Sequence, residues 1–540
     1  MESIDGSSSN ARALKNLCQD IYEYHTLLLD LIHHFLCGNP VEDKKIEKVP
    51  KELIANLQLE IHGMAESLEY MEEEIICLVN ALEGKYVEPG LAGMPCDDIR
   101  DILPTGRNLF IMDVQKVPTP EAYLIGMKLA EEMIAQYKEE EGEIPEKVAM
   151  NMMSMDISMT KGEQVSQMLY LMGIKPVWNN NGKVEGLEVI PLEQLRRPRI
   201  DVMVRITGVL RDAYPQVVDL MDQAAVIASN TEEPLDKNYI RKNTLQLIQK
   251  LKEAKDDGNI ERRATIRIFG DKPGTYGSGV DLALKASAWK EEKDIAKVFT
   301  AFSGYAYGNG LNGYTSSREF VENVKNTDIS YEKTTSKRYD VLSSGFISSV
   351  QGGFQTLKKN FSKAQLKQYH GRVEESEIPI ISTMAEELKR NLNETILNPF
   401  WNESMMEKGY DGASEIMERI QTVFSWKSLT KNIKDEDLDR MVDFYANDKD
   451  MKNWFQKYNP FAFEEICRRF LELHQRDCWN PNSEVLESLK KTYMEMEGEM
   501  EEISQEQGGE YQGGNTEVLT YEDIETWGDK LSLVNDLFDI

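Results

Sequence analysis

Two arginines and an aspartate in the stretch IDVMVRITGVLRDAYP stand out as groups able to do chemistry: Arg205, Arg211 and Asp212. They flank ITGVL at the end of an apolar run that reads as a buried strand, and Arg107 opens a second such run, RNLFIMDV. Charges at the carboxyl ends of parallel strands sit where sheets of that kind place their ligands. A guanidinium fork suits the carboxylates of an anionic substrate. The same residues equally suit an internal Arg–Asp network that stitches a domain together, and residue type alone leaves the two readings open.

Other groups point less sharply. The loop Gly274-x-x-Gly277-x-Gly279 inverts the dinucleotide fingerprint and reads more readily as a structural turn. His25, His33 and His34 share an apolar helical stretch, but neighbouring helix positions lie about 100° apart, so His33 and His34 do not share a face. His62, His370 and His474 each stand alone in sequence. The six cysteines (Cys18, Cys37, Cys77, Cys96, Cys467 and Cys478) form no C-x-x-C pair and read as reduced, mostly buried thiols. No Walker loop, G-x-S-x-G elbow, H-E-x-x-H or EF-hand loop is present, so this chain is not expected to bind ATP itself.

The elements that must position these groups follow from periodicity. Residues 11–84 carry apolar positions three and four apart, broken at Gly38-Asn39-Pro40, and read as a helical hairpin. Between 95 and 262, NLFIMDV (108–114), KVAMNMMSM (147–155), KPVWN (175–179) and IDVMVRITGV (200–209) read as strands, with amphipathic helices between them. That alternation predicts an α/β fold with a largely parallel sheet covered on both faces. Residues 263–380 form a Gly/Tyr-rich α/β region, 381–500 turn helical, and 501–540 form an acidic linker ending in a short apolar tail that reads as a docking helix. The fold class expected is therefore an N-terminal helical hairpin over 1–94, a parallel-sheet α/β core and a helical C-terminal region.

The chain has 540 residues, with 62 Lys+Arg against 93 Asp+Glu, a net charge of −31. That balance, without a Lys/Arg cluster, argues against nucleic-acid or anionic-membrane partners. No apolar run reaches about 18 residues, and the start MESIDGSSSN lacks a basic n-region and an apolar h-region. A cytoplasmic, multidomain protein is the expectation.

Several stretches resemble one family. TGRNLFIMDVQKVPTPEAYLIGMKLAEEMI (105–134) is similar to a segment of the large tetrapyrrole-binding subunit of aerobic-type cobaltochelatase and of magnesium chelatase. The likeness continues through 175–224 and IFGDKPGTYGSGV (268–280), then GYAYG (304–308), QGGF (351–354), LNPFW (397–401) and KGYDGASEI (408–416). It ends in NPFAFEEICRRFLEL (459–473) and WNPN (479–482). These segments cover about 95–500 in order and correspond to the C-terminal part of the family's longer chains. The upstream His-Gly-x-x-Glu-Trp-type motif, implicated in tetrapyrrole and metal handling, has no counterpart here. Within 330–410 the sequence departs from the family: KRYDVLSSGFISSV places Tyr339 at a His position, Lys408 precedes Gly409-Tyr410, and Ser382 and Asn393 stand where arginines are usual.

The resemblance implies a component of an ATP-dependent chelatase that inserts a divalent metal, cobalt by default or magnesium, into an anionic tetrapyrrole during cobalamin-type cofactor synthesis. It implies AAA+ ATPase subunits as partners and a separate chain supplying the missing N-terminal half. The tetrapyrrole-binding candidates carried by matched positions are Arg107, Arg205, Arg211, Asp212, Tyr276, Tyr305 and Tyr307, with Asn108, Asp113, Gly277 and Gly279 matched beside them. The aromatics would stack on the macrocycle and the arginines would meet its carboxylates. The competing implication is a non-catalytic tetrapyrrole-binding or scaffold protein diverged from the large subunit.

Overall fold

The structure is a computed structural model. It describes isolated positions between 54 and 62, then 72–91, 105–110, 112–255, 258–336, 339–362, 366–373, 378–506 and 525–538. The chain divides into two compact units, Met1–Met112 and Asp113–Ile540. In the first, the helix Glu73–Leu82 accompanies a two-stranded parallel pair, β1 (Pro89–Leu91) and β2 (Asn108–Phe110). Most of the expected helical hairpin lies outside the described residues.

The second unit is built on one eight-stranded sheet. Its strands are β3 (Lys147–Met152), β6 (Asp201–Ile206), β7 (Ile268–Gly270), β8 (Tyr305–Gly308), β9 (Leu311–Thr315), β10 (Ile329–Lys333), β11 (Lys367–Val373) and β12 (Pro379–Thr383). β4 (Ile174–Trp178) and β5 (Val184–Val189) form a separate antiparallel pair. The spatial order is β12-β11-β10-β3-β6-β7-β8-β9, with the five central strands parallel and both edges antiparallel. The α/β class with a mainly parallel sheet is therefore observed. The strand order also reverses: from β3 the chain steps to β6 and β7 on one side, then returns to β10 and β11 on the other.

β3 and β6 are buried at every position, as a sheet covered on both faces requires. The helices Pro120–Glu141, Glu163–Leu171 and Pro215–Asn230 pack together on one side, and Glu292–Ser303 and Gly345–Phe361 pack together on the other. Pro120 at the first helical turn and the Thr119 side chain, accepting from the Ala122 amide at 3.2 Å, start the first of these helices. In Gly345–Phe361 the QGGF glycines permit close crossings: a Cβ on Gly352 would fall 2.3 Å from Leu429, and one on Gly353 would fall 2.4 Å from Phe299. Helices Tyr410–Leu429, Pro460–Gln475 and Ser483–Glu506 then stack outward from it within one continuous hydrophobic cluster. The sheet draws strands from both sides of residue 262, and the same cluster reaches the tail helix Glu525–Phe538, which buries Trp527, Leu531, Val534 and Phe538.

Two of the expected strands form outside the eight-stranded sheet. In NLFIMDV, Asn108–Phe110 form a strand that pairs in the first unit, and Asp113 caps the short turn Val114–Lys116. KPVWN belongs to the β4–β5 hairpin because Asn179 closes a turn, its side chain accepting from the Asn181 and Lys183 amides at 2.9 and 3.1 Å. The strands from β7 onward escape sequence reading because they are three to seven residues long and set among glycines and polar residues.

At the amino ends of the central strands a buried ion network is fully paired. Asp201 accepts from Lys147 at 2.7 Å, Arg267 at 2.6 Å and Asn243 at 2.8 Å. Lys147 also reaches Asn323 at 2.6 Å, and Arg267 donates to the carbonyls of Ala264 and Ile266. The two cations hold the Asp201 carboxyl below its ordinary range against the opposing effect of burial. Burial pushes the Lys147 ammonium down to about 8. Asp201→Ala would strand two buried cations, so we expect a loss of about 3–5 kcal/mol, read by denaturant unfolding. A loss under about 1 kcal/mol would show that the network is not structural.

Candidate functional site

The carboxyl ends of the same strands are arranged differently. β6 delivers Arg205 with no solvent exposure, and the chain turns at Thr207, whose side chain accepts from the Leu210 amide at 3.3 Å, into the short helix Gly208–Ala213. β7 delivers Asp271 and then the glycine loop. Arg205 is ion-paired with Asp271, also fully buried, and the other Asp271 oxygen accepts from the Gly277 amide at 3.0 Å. Gly277 adopts a φ of 101°, which only glycine takes without strain. Burial raises the Asp271 carboxyl, with Arg205 pulling the other way.

Arg211 is the hub of the next layer. Its Nε and Nη2 donate to Asp212 at 2.6 and 2.8 Å, and its Nη1 donates to the carbonyl oxygens of Asp271, Lys272 and Thr275 at 3.1, 3.0 and 3.3 Å. The guanidinium also lies 5.5 Å from the ring centre of Tyr276 and 5.9 Å from that of Tyr307. The Tyr276 hydroxyl donates to Asp212 at 2.8 Å, while the residue is 64% exposed. The Tyr307 hydroxyl donates to the Asp271 carbonyl, and burial pushes its phenol up to about 12. Hydrogen bonding by Arg211 holds the Asp212 carboxyl below its usual range.

Five of the candidates thus converge: Arg205, Arg211, Asp212, Tyr276 and Tyr307 form one contact set at the carboxyl ends of β6 and β7. Both guanidinia are engaged within the chain, Arg205 by Asp271 and Arg211 by Asp212 and the loop carbonyls. Tyr305 is buried at the start of β8, where burial raises its phenol, and it makes no hydrogen bond to the set among the described residues. Arg107 is exposed in the first unit, against Gly90.

Arg211, Asp212 and Tyr307 line a cavity of about 440 Å³ with Pro215, Val218 and Asn312. Tyr276 is not one of its lining residues but is hydrogen-bonded to Asp212, which is. A cavity of about 920 Å³ lies elsewhere, at the amino end of β11, lined by Lys359, Lys367, Lys427 and Asn432 among others. Three of its four lysines are already paired, Lys359 with Glu292 at 2.6 Å, Lys367 with Glu141 at 2.6 Å and Lys427 with Asp435 at 2.5 Å, and Lys431 lines it as well. Position favours the smaller cavity, because open parallel sheets bind ligands beyond the carboxyl ends of their strands.

Sequence reading missed a second buried group beside this site. Asn151 on β3 donates to Glu332 on β10 at 2.8 Å, and Gln351 donates to the same Glu332 oxygen at 3.4 Å. The only sequence signal was a polar residue inside an apolar run, Asn151 in VAMNMM; Glu332 sits in ISYEK, which gave no strand signal. Among the described residues no group of three or more His, Cys, Asp or Glu is placed to hold a metal ion.

Comparison with known proteins decides the family. The family model described as CobN/Magnesium Chelatase matches residues 3–486. The chain belongs to the CobN/magnesium chelatase family. An uncharacterised protein of Methanocaldococcus jannaschii is 36% identical over 485 residues, covering 89% of this chain and 38% of the relative. The aerobic cobaltochelatase subunit CobN of a Sinorhizobium species is 30% identical over 411 residues, 76% of this chain and 32% of that protein. Among solved structures, the catalytic subunit of cobaltochelatase from Mycobacterium tuberculosis superposes with a TM-score of 0.78 at 28% identity, over 92% of this chain and 41% of that one. The chain therefore spans well under half the length of the relatives it matches. No helix among the described residues is long and apolar enough to cross a membrane.

Arg211 holds the loop 272–277 through charge-assisted bonds, so Arg211→Ala should cost about 1.5–3 kcal/mol and raise amide exchange across that loop. Exchange rates unchanged from the parent would show that the loop is held by other contacts.

Proposed function

We propose that this chain is one component of an ATP-dependent chelatase that inserts a divalent metal, cobalt by default and magnesium as the other candidate, into an anionic tetrapyrrole. Family membership supports the class of reaction. The single observation that supports the location is the exposed Tyr276, hydrogen-bonded to Asp212 of the Arg211-lined cavity. A macrocycle would stack on that ring, and Arg211 would meet one of its carboxylates by exchanging Asp212 for it, because Asp212 and Asp219 line the same cavity. Insertion requires the ring to be bent, its pyrrole N–H protons to be removed and the ion to be stripped of water. The metal is substrate here. ATP hydrolysis is assigned to AAA+ partner subunits. The net charge of −31 gives such partners an acidic surface to meet.

The test is an absorbance titration of the purified chain with a tetrapyrrole, alone and with candidate partners, ATP and metal. Tyr276→Ala, at an exposed position, should weaken binding by about 10-fold while leaving the unfolding midpoint unchanged. Equal affinity for both proteins would remove Tyr276 from the site. Formation of the metallated product only with partners and ATP would support a chelatase component, and binding that never progresses to metallation would support the non-catalytic binder instead.

A further inference from the structure

The carboxyl half of the sheet carries a lateral row of polar side chains that the cavity does not account for. Pairing registers place Ser382 beside His370, His370 beside Glu332, and Asn151 beside Arg205. The hydrogen bond between Asn151 and Glu332 joins the two halves. Residues paired across strands in this way share one face of the sheet. That face is covered by the helix Gly345–Phe361, which sets Gln351 on Glu332 and the Phe346 ring 5.1 Å from the Arg205 guanidinium.

Three features single out Glu332. It is fully buried, on the strand beside β3, where the strand order reverses. Its Oε2 holds both amide donors while its Oε1 has no partner, and Asn151 Oδ1, Gln351 Oε1 and the Arg205 Nε and Nη1 are likewise unpartnered. Native interiors rarely leave so many polar atoms unmet in one place. Arg205 is common to both parts of the site, ion-paired to Asp271 and close enough to act on the Glu332 charge.

We propose that Glu332 takes up and releases a proton at the switch point of the sheet, and that Arg205 passes the resulting change of charge to Asp271 and the loop carrying Tyr276. On uptake, a proton bonds to a Glu332 carboxylate oxygen and Arg205 faces one carboxylate, Asp271. On release, the O–H bond breaks, the electron pair stays on the oxygen, and Arg205 faces two. Asp271 then holds Arg205 less tightly, and its grip on the Gly277 amide changes with it. Resting on the chelatase reading, this lets the charge state of Glu332, behind the cavity wall, set how the loop carrying Tyr276 is held, with Glu332 a positioning residue rather than one that touches substrate.

The groups facing Glu332 agree with this role. Asn151 and Gln351 donate to it, and Arg205 is the cation that acts on it. His370 is its neighbour on β11, and burial pushes that imidazole down to about 4, so it is neutral. Lys333 projects to the opposite face, where it pairs with Asp156 at 3.2 Å. Burial pushes the Glu332 carboxyl up to about 8 against the opposing pull of these donors.

The sign of the stability effect follows. The folded chain binds this proton more tightly than the unfolded chain, so Glu332 favours folding at low pH. That advantage is lost as pH rises from the ordinary carboxylate range to about 8.

The experiment is an infrared pH titration of the full chain, with carbon-13-labelled glutamate to assign the band. A protonated-carboxyl band should disappear as pH passes about 8 in the parent and be absent from Glu332→Gln. The melting-temperature difference, Glu332→Gln minus parent, should grow over the same range. Protection of the Gly277 amide, corrected for intrinsic exchange, should depend on pH in the parent and in Glu332→Asp but be flat in Glu332→Gln. A parent with no titrating glutamate band near that pH, or a Glu332→Gln protein that retains it, overturns the proton site. A band with pH-independent Gly277 protection overturns the coupling. None of these readouts requires tetrapyrrole, so failure of the chelatase reading would be seen separately, as absence of binding.

Discussion

The ion pair between Arg205 and Asp271 is the contact on which the rest of the site depends. A sheet covered on both faces has little tolerance for charge, and an unpaired ion inside it costs several kcal/mol, a large share of a typical domain's stability. The guanidinium on β6 therefore requires the carboxylate that follows β7. That carboxylate in turn fixes the Gly277 amide, and its backbone carbonyl receives Arg211 and Tyr307. The loop bearing Tyr276 is thereby tied to the interior of the sheet rather than left to solvent.

The two ends of the strands use similar residues to opposite effect. At the amino ends, Lys147, Asp201 and Arg267 meet matched partners, an arrangement that suits a structural role. At the carboxyl ends, Glu332, Asn151, Gln351 and Arg205 each keep a polar atom without a partner. A half-satisfied network costs stability, so it persists where it does something the matched network cannot. This contrast, more than cavity size, is why we propose the carboxyl edge as the functional site in preference to the larger lysine-lined cavity.

Much of this was legible in the sequence. Alternation of apolar runs and amphipathic stretches gave the parallel sheet, and the order of family-like segments gave the chelatase family. Arg205, Arg211 and Asp212 were found because charges beside an apolar run are conspicuous. Of the two open readings of them, the structure shows the internal network, and Arg211 and Asp212 of that network line the cavity. Glu332 was invisible because its strand, ISYEK, is short and half polar, and its pairing with Asn151 spans 181 residues of sequence. His370, alone in sequence, joins the same row only through the β10–β11 register. Contacts of that range are set by topology, which local periodicity does not carry.

The account turns on where the macrocycle sits. A crystal structure of the chain with a bound tetrapyrrole tests this most directly. It should show the ring stacked on Tyr276 over the Arg211-lined cavity at the carboxyl ends of β6 and β7. A macrocycle seated instead in the cavity between Lys359, Lys367 and Lys427, at the amino end of β11, would contradict it.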